Sequence, residues 1–451
     1  NRNVAPEIFE KITCMWDQQT TTMPPSANEM TDQQLMSHYI TTAEIRSTRN
    51  DLKTRKATNG LTNEILKYSS TAIDRILFFT FNIIYLTSYW PASWRTATIF
   101  ALFKGGDKSI YNPNSYRGIS LLDSCSKLLD KILYKRLLTF TDRHQIIDPR
   151  QFGGRKQMGS VQQLIRTLEV INQMRNENRK TFVAFLDIQK AFDKVSRAQL
   201  MSKLQDMGVQ GLLLNSIAAF LANRSQTTKI GTTNSTTDAT EHGVPQGSSL
   251  SMHLFLIYIN DSIPENNSQK TSTNYSMFVD DESVMTCGAN IWEVRENANN
   301  ALESIYNWSL QNQVIFDPNK FHILDMSRNT GTNKTYLQFG KKAKGFEKDA
   351  PYLGLKIDRN FNMKVGILAR LKSAKEMTPM LFSHANKHTG ANSKTLLNIF
   401  RAYVLSRLEY GSPCWIFRIR ENFLVGGTTQ KNYSRVWSKV ESLYVNCLRA
   451  C

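Results

Sequence analysis

Acidic charge is scarce in this chain, and so are cysteines and long apolar runs. Lys and Arg number 56 against 38 Asp and Glu, a formal net charge of +18. Such an excess costs self-repulsion and suits a polyanionic partner, so nucleic acid is the leading partner class, with an acidic membrane surface behind it. No segment approaches the roughly 18 apolar residues a spanning helix needs. The most apolar stretch, Ile76 to Leu86, follows Asp74 and Arg75 and reads as a buried helix, so no membrane partner is expected. Cys14, Cys125, Cys287, Cys414, Cys447 and Cys451 contain no Cys-x-x-Cys spacing, which leaves free thiols of a reducing compartment. His384 and His388 share a helical spacing but lack an intervening Glu or a third ligand, so they read as a solvated face and no zinc is assigned. The chain opens at Asn1 with neither a methionine nor an apolar signal region, which predicts an intracellular protein and a fragment of something larger.

What is present is enough chain, 451 residues, for two or three packed subdomains with a cleft. Asp17 to Gln34 is rich in Thr, Gln, Met and Pro and lacks an apolar period, so residues 1–43 are expected to be an extension or linker. Helical spacing begins at Glu44, with a turn near Asn59 and Gly60 and a long apolar helix from Thr71 to Tyr89 before Pro91. Arg95 to Phe103 reads as a strand. Helices are predicted over Ser124 to Phe140, Ser160 to Arg175, Arg197 to Met207, Leu212 to Ala222, Ser249 to Ile259 and Trp292 to Leu310. Phe182 to Leu186 is an apolar run ending in a single charge, Asp187, which predicts a buried strand with a carboxylate at its tip. Gln226 to Thr240 is a polar, Thr-rich hairpin region. Asn274 to Met285 alternates like two strands turning at Asp280 and Asp281, and further strands fall at Phe321 to Met326 and Tyr352 to Ile357. After Asn360 the pattern is helical almost to the end.

The chemistry sits on the carboxylates. Phosphoryl transfer to a growing chain uses two divalent ions roughly 3.5 to 4 Å apart, held by hard oxygen ligands, so a few aspartates at strand tips suffice. Asp187 is one such residue and the Asp280–Asp281 pair supplies two more. Alone, an Asp-Asp dipeptide suits any polar turn. Here it has company: F-L-D-I-Q-K-A-F-D over Phe185 to Asp193, G-V-P-Q-G-S-S-L over Gly243 to Leu250, and F-V-D-D over Phe278 to Asp281.

This ordered set resembles the reverse transcriptases, and most closely those of non-LTR (LINE-like) retrotransposons. Tyr116 to Leu122 (Y-R-G-I-S-L-L), Lys127, Gln151 to Gly154 (Q-F-G-G), Lys320 and Tyr352 to Leu355 (Y-L-G-L) extend the likeness over Glu44 to Trp415. The resemblance implies an α+β right-hand polymerase: fingers and N-terminal reverse transcriptase blocks over 44–180, a palm with an antiparallel sheet and inserted finger elements over 181–358, and a helical thumb and C-terminal region over 359–451. It implies an RNA-directed DNA polymerase that extends a DNA primer or nicked target DNA along template RNA with dNTPs, in nucleus and cytoplasm. Two Mg2+ ions, with Mn2+ as an alternative, would be held by Asp187, Asp280, Asp281 and the backbone carbonyl of Ile188. Lys104, Arg117, Phe192, Gln246 and Lys320 would contact the incoming nucleotide, Phe192 as the wall against a 2′-hydroxyl. Tyr352, Leu353, Gly354 and Leu355 would steady the primer end, and Lys364, Arg370, Lys372, Lys375 and Lys387 would line the duplex.

Asp193 lies farther on, where a helix-capping role is expected. Three departures bear on template placement and speed rather than on the ligands. Lys56 to Leu61 reads K-A-T-N-G-L without the family's proline and acidic residue, Met252 replaces a common proline, and Val279 a common alanine. No endonuclease, zinc knuckle or RNase H carboxylate set is recognisable, so an endonuclease is expected in sequence beyond this chain. The competing expectations are a nucleic-acid-binding descendant without catalysis and an intron-type maturase.

Overall fold

The computed structural model describes residues 6–21, 25–54, 61–105, 108–177, 179–264, 272–328, 336–385, 390–415 and 438–448. The altered K-A-T-N-G block, His388, Lys387 and Cys451 fall wholly or largely outside the described residues. The chain divides into two compact units. The first is Asn1–Pro149, Lys190–Ser262 and Gln311–Val314; the second is Arg150–Gln189, Ile263–Leu310 and Ile315–Cys451. The expected cut between 180 and 181 falls inside the second unit, because pairing between strands distant in sequence, not chain continuity, assembles it. Among the described residues the strands are β1 (Thr96–Phe103), β2 (Tyr116–Leu121), β3 (Lys180–Asp187), β4 (Arg224–Ile230), β5 (Thr233–Asn234), β6 (Asp238–Thr240), β7 (Thr273–Phe278), β8 (Asp281–Gly288), β9 (His322–Asp325), β10 (Tyr336–Phe339), β11 (Lys342–Gly345), β12 (Asp349–Tyr352) and β13 (Leu355–Asp358).

The first unit sets a sheet of order β2-β1-β4-β5, with β6 beside β4, among helices that include Ala72–Thr87, Ser124–Arg143, Gly211–Leu221 and Ser249–Ile259. The last of these is apolar on every side and accordingly buried almost all round. Within residues 1–43, expected to be an extension or linker, the described parts are packed on the first unit. Pro6–Thr21 and Asp32–Ser37 are helices, Ile12, Met30 and Leu35 are buried, and Trp16 meets Phe78 edge-on at 5.2 Å. Phe9, Ile12 and Trp16 recur at helical spacing, a stripe too short to stand out against its Thr and Gln neighbours, and a capping box between Thr31 and Gln34 starts the second helix.

A buried ion pair ties this unit together. Arg136 in the Ser124–Arg143 helix is fully buried and donates to both oxygens of Glu44 at 2.7 Å, to the His38 carbonyl at 2.6 Å and to the Tyr39 carbonyl at 2.8 Å. Six residues before it, Asp130 is also buried. Burial pushes its carboxyl up to about 7 from an ordinary 3.8, against the opposing pull of Ser248, Lys127 and Arg224. A raised carboxyl pKa in the folded chain means that the protonated form stabilises the fold. That contribution is complete below about 3.8 and lost as pH rises through about 7. Asp130→Asn keeps the shape without the proton, so its unfolding midpoint in urea should gain on that of the unaltered chain as pH rises across this window. A gap that stays constant with pH would contradict this.

The second unit is built on an antiparallel sheet of order β7-β8-β3-β9. Every residue from Thr181 to Leu186 in β3 is buried, as its continuous apolar run predicts. One face packs on the Ser160–Asn176 helix, on Tyr352 and Ile357 of the β12–β13 hairpin, and on the helical C-terminal part, whose Ile367, Phe400, Trp415 and Leu443 join the same core. The five described cysteines are free thiols. No helix among the described residues is long and apolar enough to cross a membrane.

Candidate active site

Strand pairing brings the carboxylates together. In the β3–β8 ladder Asp187 stands opposite Asp281, and in the β7–β8 hairpin Phe278 pairs with Asp281, which leaves Val279 and Asp280 as a two-residue turn. The Ile188 amide donates to the Asp280 carbonyl at 3.3 Å, so backbone holds the turn against the end of β3. A second tether comes from the segment after the Ile291–Gln311 helix. The Asp317 amide donates to the Asp187 carbonyl at 2.8 Å, and a tight turn from Asp317 brings Lys320 round, so that its Nζ donates to Asp187 Oδ2 at 2.6 Å. Alternation along β8 separates the neighbours: Asp281 stands with Asp187, while Glu282 points to the opposite face and is fully buried, its carboxyl pushed up to about 8 by burial.

The electrostatics of this cluster follow from its geometry. Burial pushes the Asp281 carboxyl up to about 7, the negative charges of Asp280 and Asp187 add to it, and Lys320 pulls the other way. Burial by itself would lower the Lys320 ammonium, but Asp187, Asp317 and Asp280 leave it raised. Carboxylates that cannot all ionise side by side become ionised when a cation joins them, and Lys320 already supplies one cation at Asp187. As hard oxygen donors in one place, the three aspartates fit a divalent ion in kind. Among the described residues no three His, Cys, Asp or Glu side chains are disposed as a finished metal cage, so the Lys320–Asp187 contact and the carboxylate rotamers would have to adjust.

The first unit holds the other expected residues. Lys104 and Arg117 are exposed at the loop end of the β1–β2 hairpin. There Arg117 pairs with Leu102, the Lys104 amide donates to the Ser115 carbonyl at 2.9 Å, and its Nζ donates to the Asn114 carbonyl at 2.8 Å. Phe192 is half-buried in the 3-10 turn Ala191–Lys194, its ring stacked on Phe255 at 4.9 Å, which fixes the plane of a wall that stays partly open. The loop carrying Gln246 lies directly against it. The Val244 amide donates to the Phe192 carbonyl at 2.8 Å, and Gly243, at φ +83°, comes so close that a Cβ would stand 2.9 Å from the Phe192 and Asp193 carbonyl oxygens. At its far end the Ser120 amide donates to the Gln246 carbonyl at 2.8 Å, which couples the loop to β2.

Two expectations need correcting. Asp193 is no helix cap: Ser196 caps the Arg197–Asp206 helix, and the 3-10 turn places Asp193 three residues too early. The other concerns the strand expected from Tyr352 to Ile357. Tyr352 and Leu355 are buried as the last and first residues of β12 and β13, and only Leu353 and Gly354 make the turn, where the strand expected from Tyr352 to Ile357 is interrupted. The Tyr352 ring stacks on Phe185 at 4.4 Å, and its hydroxyl accepts from Gln163 Nε2 at 2.8 Å, so packing in the sheet core claims it. The Leu353 carbonyl accepts from the Tyr410 hydroxyl at 2.6 Å, and Tyr410 stacks under the Arg370 guanidinium at 4.6 Å. Arg370 is therefore engaged within its own unit. Lys364, Lys372 and Lys375 lie with it on the Lys364–Lys375 helix.

Arg197 escaped the motif reading. Its guanidinium donates to the carbonyls of Thr240 at 2.6 Å, Gly243 at 2.9 Å and His242 at 3.0 Å, bracing the Gln246 loop from below. Those partners are distant in sequence, so no local signal marks it.

Residues 104–357 match the family described as "Reverse transcriptase (RNA-dependent DNA polymerase)". The chain belongs to the reverse transcriptase family. Among similar proteins are the "RNA-directed DNA polymerase from mobile element jockey" of Drosophila melanogaster, 26% identical over 71% of this chain and 35% of that protein, and its counterpart from Drosophila funebris, 28% identical over 62% and 31%. The "Probable RNA-directed DNA polymerase from transposon X-element" of Drosophila melanogaster is 31% identical over 46% of this chain and 23% of that protein. These relatives bear out the LINE-like character expected from the motifs. The chain spans about a third of the length of the two jockey proteins. It also matches a solved telomerase from Candida albicans at TM-score 0.36 and 13% identity, covering 80% of this chain and 62% of that one, a likeness too loose to bear on the site.

Proposed function

We propose that this reverse transcriptase is active as an RNA-directed DNA polymerase, adding dNTPs to a DNA 3′ end paired with template RNA, in retrotransposition primed at a nicked target in the nucleus. The observation that carries the reading is the pairing of Asp187 with Asp281 beside Asp280 in the hairpin turn, in a chain of this family. Asp187, Asp280 and Asp281, with the Ile188 carbonyl, would hold two divalent ions, Mg2+ in the first place and Mn2+ as an alternative. Such ions would activate the primer hydroxyl and neutralise the triphosphate and leaving group. Lys320, seated on Asp187, would offer its positive charge to the leaving pyrophosphate. Lys104 and Arg117 offer a point charge and a guanidinium fork to the triphosphate. Leu353 and Gly354 remain as the part of their hairpin open to a primer. An endonuclease for the nick belongs to sequence outside this chain.

Primer extension on an RNA template with Mg2+ tests the proposal. Incorporation of dNTPs supports it, whereas binding of primer and template without incorporation assigns the chain to nucleic-acid binding alone. Phe192 makes the reading sharper. A ring held flat by Phe255 blocks a 2′-hydroxyl sterically, so Phe192→Val should raise rNTP use relative to dNTP by about 10- to 100-fold. An unchanged ratio would remove Phe192 from sugar selection.

A further inference from the structure

Val279 is in the wrong conformation for its kind. It is the first central residue of the two-residue turn between β7 and β8, and its φ is +57°. A turn of this pattern, with positive φ at the first central position only, favours glycine there, and a β-branched side chain at positive φ is a strained outlier. The next residue is Asp280. Whatever holds Val279 in place therefore aims Asp280.

The structure supplies a clamp. Gln151 is buried and its side chain spans both polar groups of Val279: Oε1 accepts from the Val279 amide at 2.9 Å, and Nε2 donates to the Val279 carbonyl at 3.4 Å. The same Oε1 accepts from the Gly153 amide at 2.8 Å, which fixes the rotamer of the clamp from its own loop. Gly153 closes the fit, because a Cβ there would stand 2.3 Å from the Val279 nitrogen. Backbone bonds keep the two segments in register: the Met277 amide donates to the Arg150 carbonyl at 2.9 Å, and the Phe152 amide to the Met277 carbonyl at 2.8 Å. All of these residues belong to one unit.

We infer that Gln151 is a positioning residue for DNA synthesis, holding Val279 in its strained turn so that Asp280 stands in place beside Asp187 and Asp281. The inference rests on the polymerase reading above. It explains why Q-F-G-G needs an amide at its first position and the smallest residue at its third. Gln151 touches no reacting atom. Its effect passes through backbone, and a displaced ligand carboxylate costs rate more than it costs binding.

The test compares four chains: unaltered, Gln151→Ala, Val279→Gly and the double variant. Gln151→Ala should lower kcat for dNTP addition on the order of 10- to 100-fold with KM for dNTP and primer-template affinity little changed. In the double variant much of the lost rate should be recovered, measured against Val279→Gly alone, since glycine adopts positive φ without a clamp. Hydrogen exchange supplies a readout independent of synthesis. The Val279 amide should exchange on the order of tenfold faster or more in Gln151→Ala, with the rest of β7 and β8 as protected as before. An unaltered kcat in Gln151→Ala overturns the inference. So does a loss that Val279→Gly fails to relieve, or exchange that accelerates across the whole sheet, which would mark Gln151 as a general fold residue. If the unaltered chain makes no DNA, the polymerase reading fails, and the exchange result alone then decides whether Gln151 holds the turn.

Discussion

Asp280→Ala is expected to lower primer extension on the order of a thousandfold or more while leaving primer-template binding intact. The asymmetry follows from where the residue sits. Asp280 is in the tip of the β7–β8 hairpin, outside the pairing of Phe278 with Asp281, and only its backbone carbonyl takes part in the tether to Ile188. Alanine keeps that backbone, so the sheet keeps its register while the carboxylate proposed as a ligand disappears. The removal also takes away one of the charges that push the Asp281 carboxyl up, so Asp281 becomes easier to ionise. Extension in the variant measured against the unaltered chain, with primer-template affinity from a binding assay, decides the matter. Synthesis at the unaltered rate would mean that the chemistry lies elsewhere.

The second large effect concerns stability. Arg136→Ala should destabilise the first unit by about 3–5 kcal/mol, because it leaves the Glu44 carboxylate buried without its arginine and takes a donor from the His38 and Tyr39 carbonyls. Glu44 has a further duty, since its side chain accepts from the Thr41 amide at 2.9 Å and caps the Thr42–Asn50 helix. The double variant Arg136→Ala with Glu44→Ala should therefore cost less than the two single losses added together, yet more than a simple exchange of an ion pair for apolar contact. Urea unfolding of the four chains measures this coupling. A loss within about 1 kcal/mol for Arg136→Ala would show that solvent reaches the pair on the time scale of unfolding.

Much of the secondary structure was legible from periodicity alone. The Ser249–Ile259 helix matches its expected limits because an apolar run bounded by Ser and Asn carries its own start and stop. The strand ending at Asp187 was equally clear, since one charge after a continuous apolar run marks the edge of a buried sheet. The N-terminal helix was missed for the opposite reason: its apolar stripe is short, and its partners, Phe78 and Phe79, lie more than fifty residues on. The strand expected from Tyr352 to Ile357 broke for another reason. In Y-L-G-L alternating apolar residues look like one strand, but a two-residue turn at Leu353 and Gly354 divides them and leaves Tyr352 and Leu355 in the ladder, facing a core.

By itself, then, the sequence determined the kinds of groups this reverse transcriptase has and their order: aspartates at strand ends, a Gly-Pro-Gln-Gly loop, an aromatic after the first aspartate, a lysine after the pair, and a basic excess suited to nucleic acid. Those features are local, and local chemistry survives in one dimension. Tertiary structure decided their company. It set Asp187 opposite Asp281, seated Lys320 on Asp187, buried Tyr352 against Phe185, braced the Gln246 loop with Arg197 and placed Gln151 under the strained Val279. Each of those contacts joins residues dozens to more than a hundred positions apart, and a hydrogen bond or a charge acts only over a few ångströms, so nothing short of the folded chain could assign them.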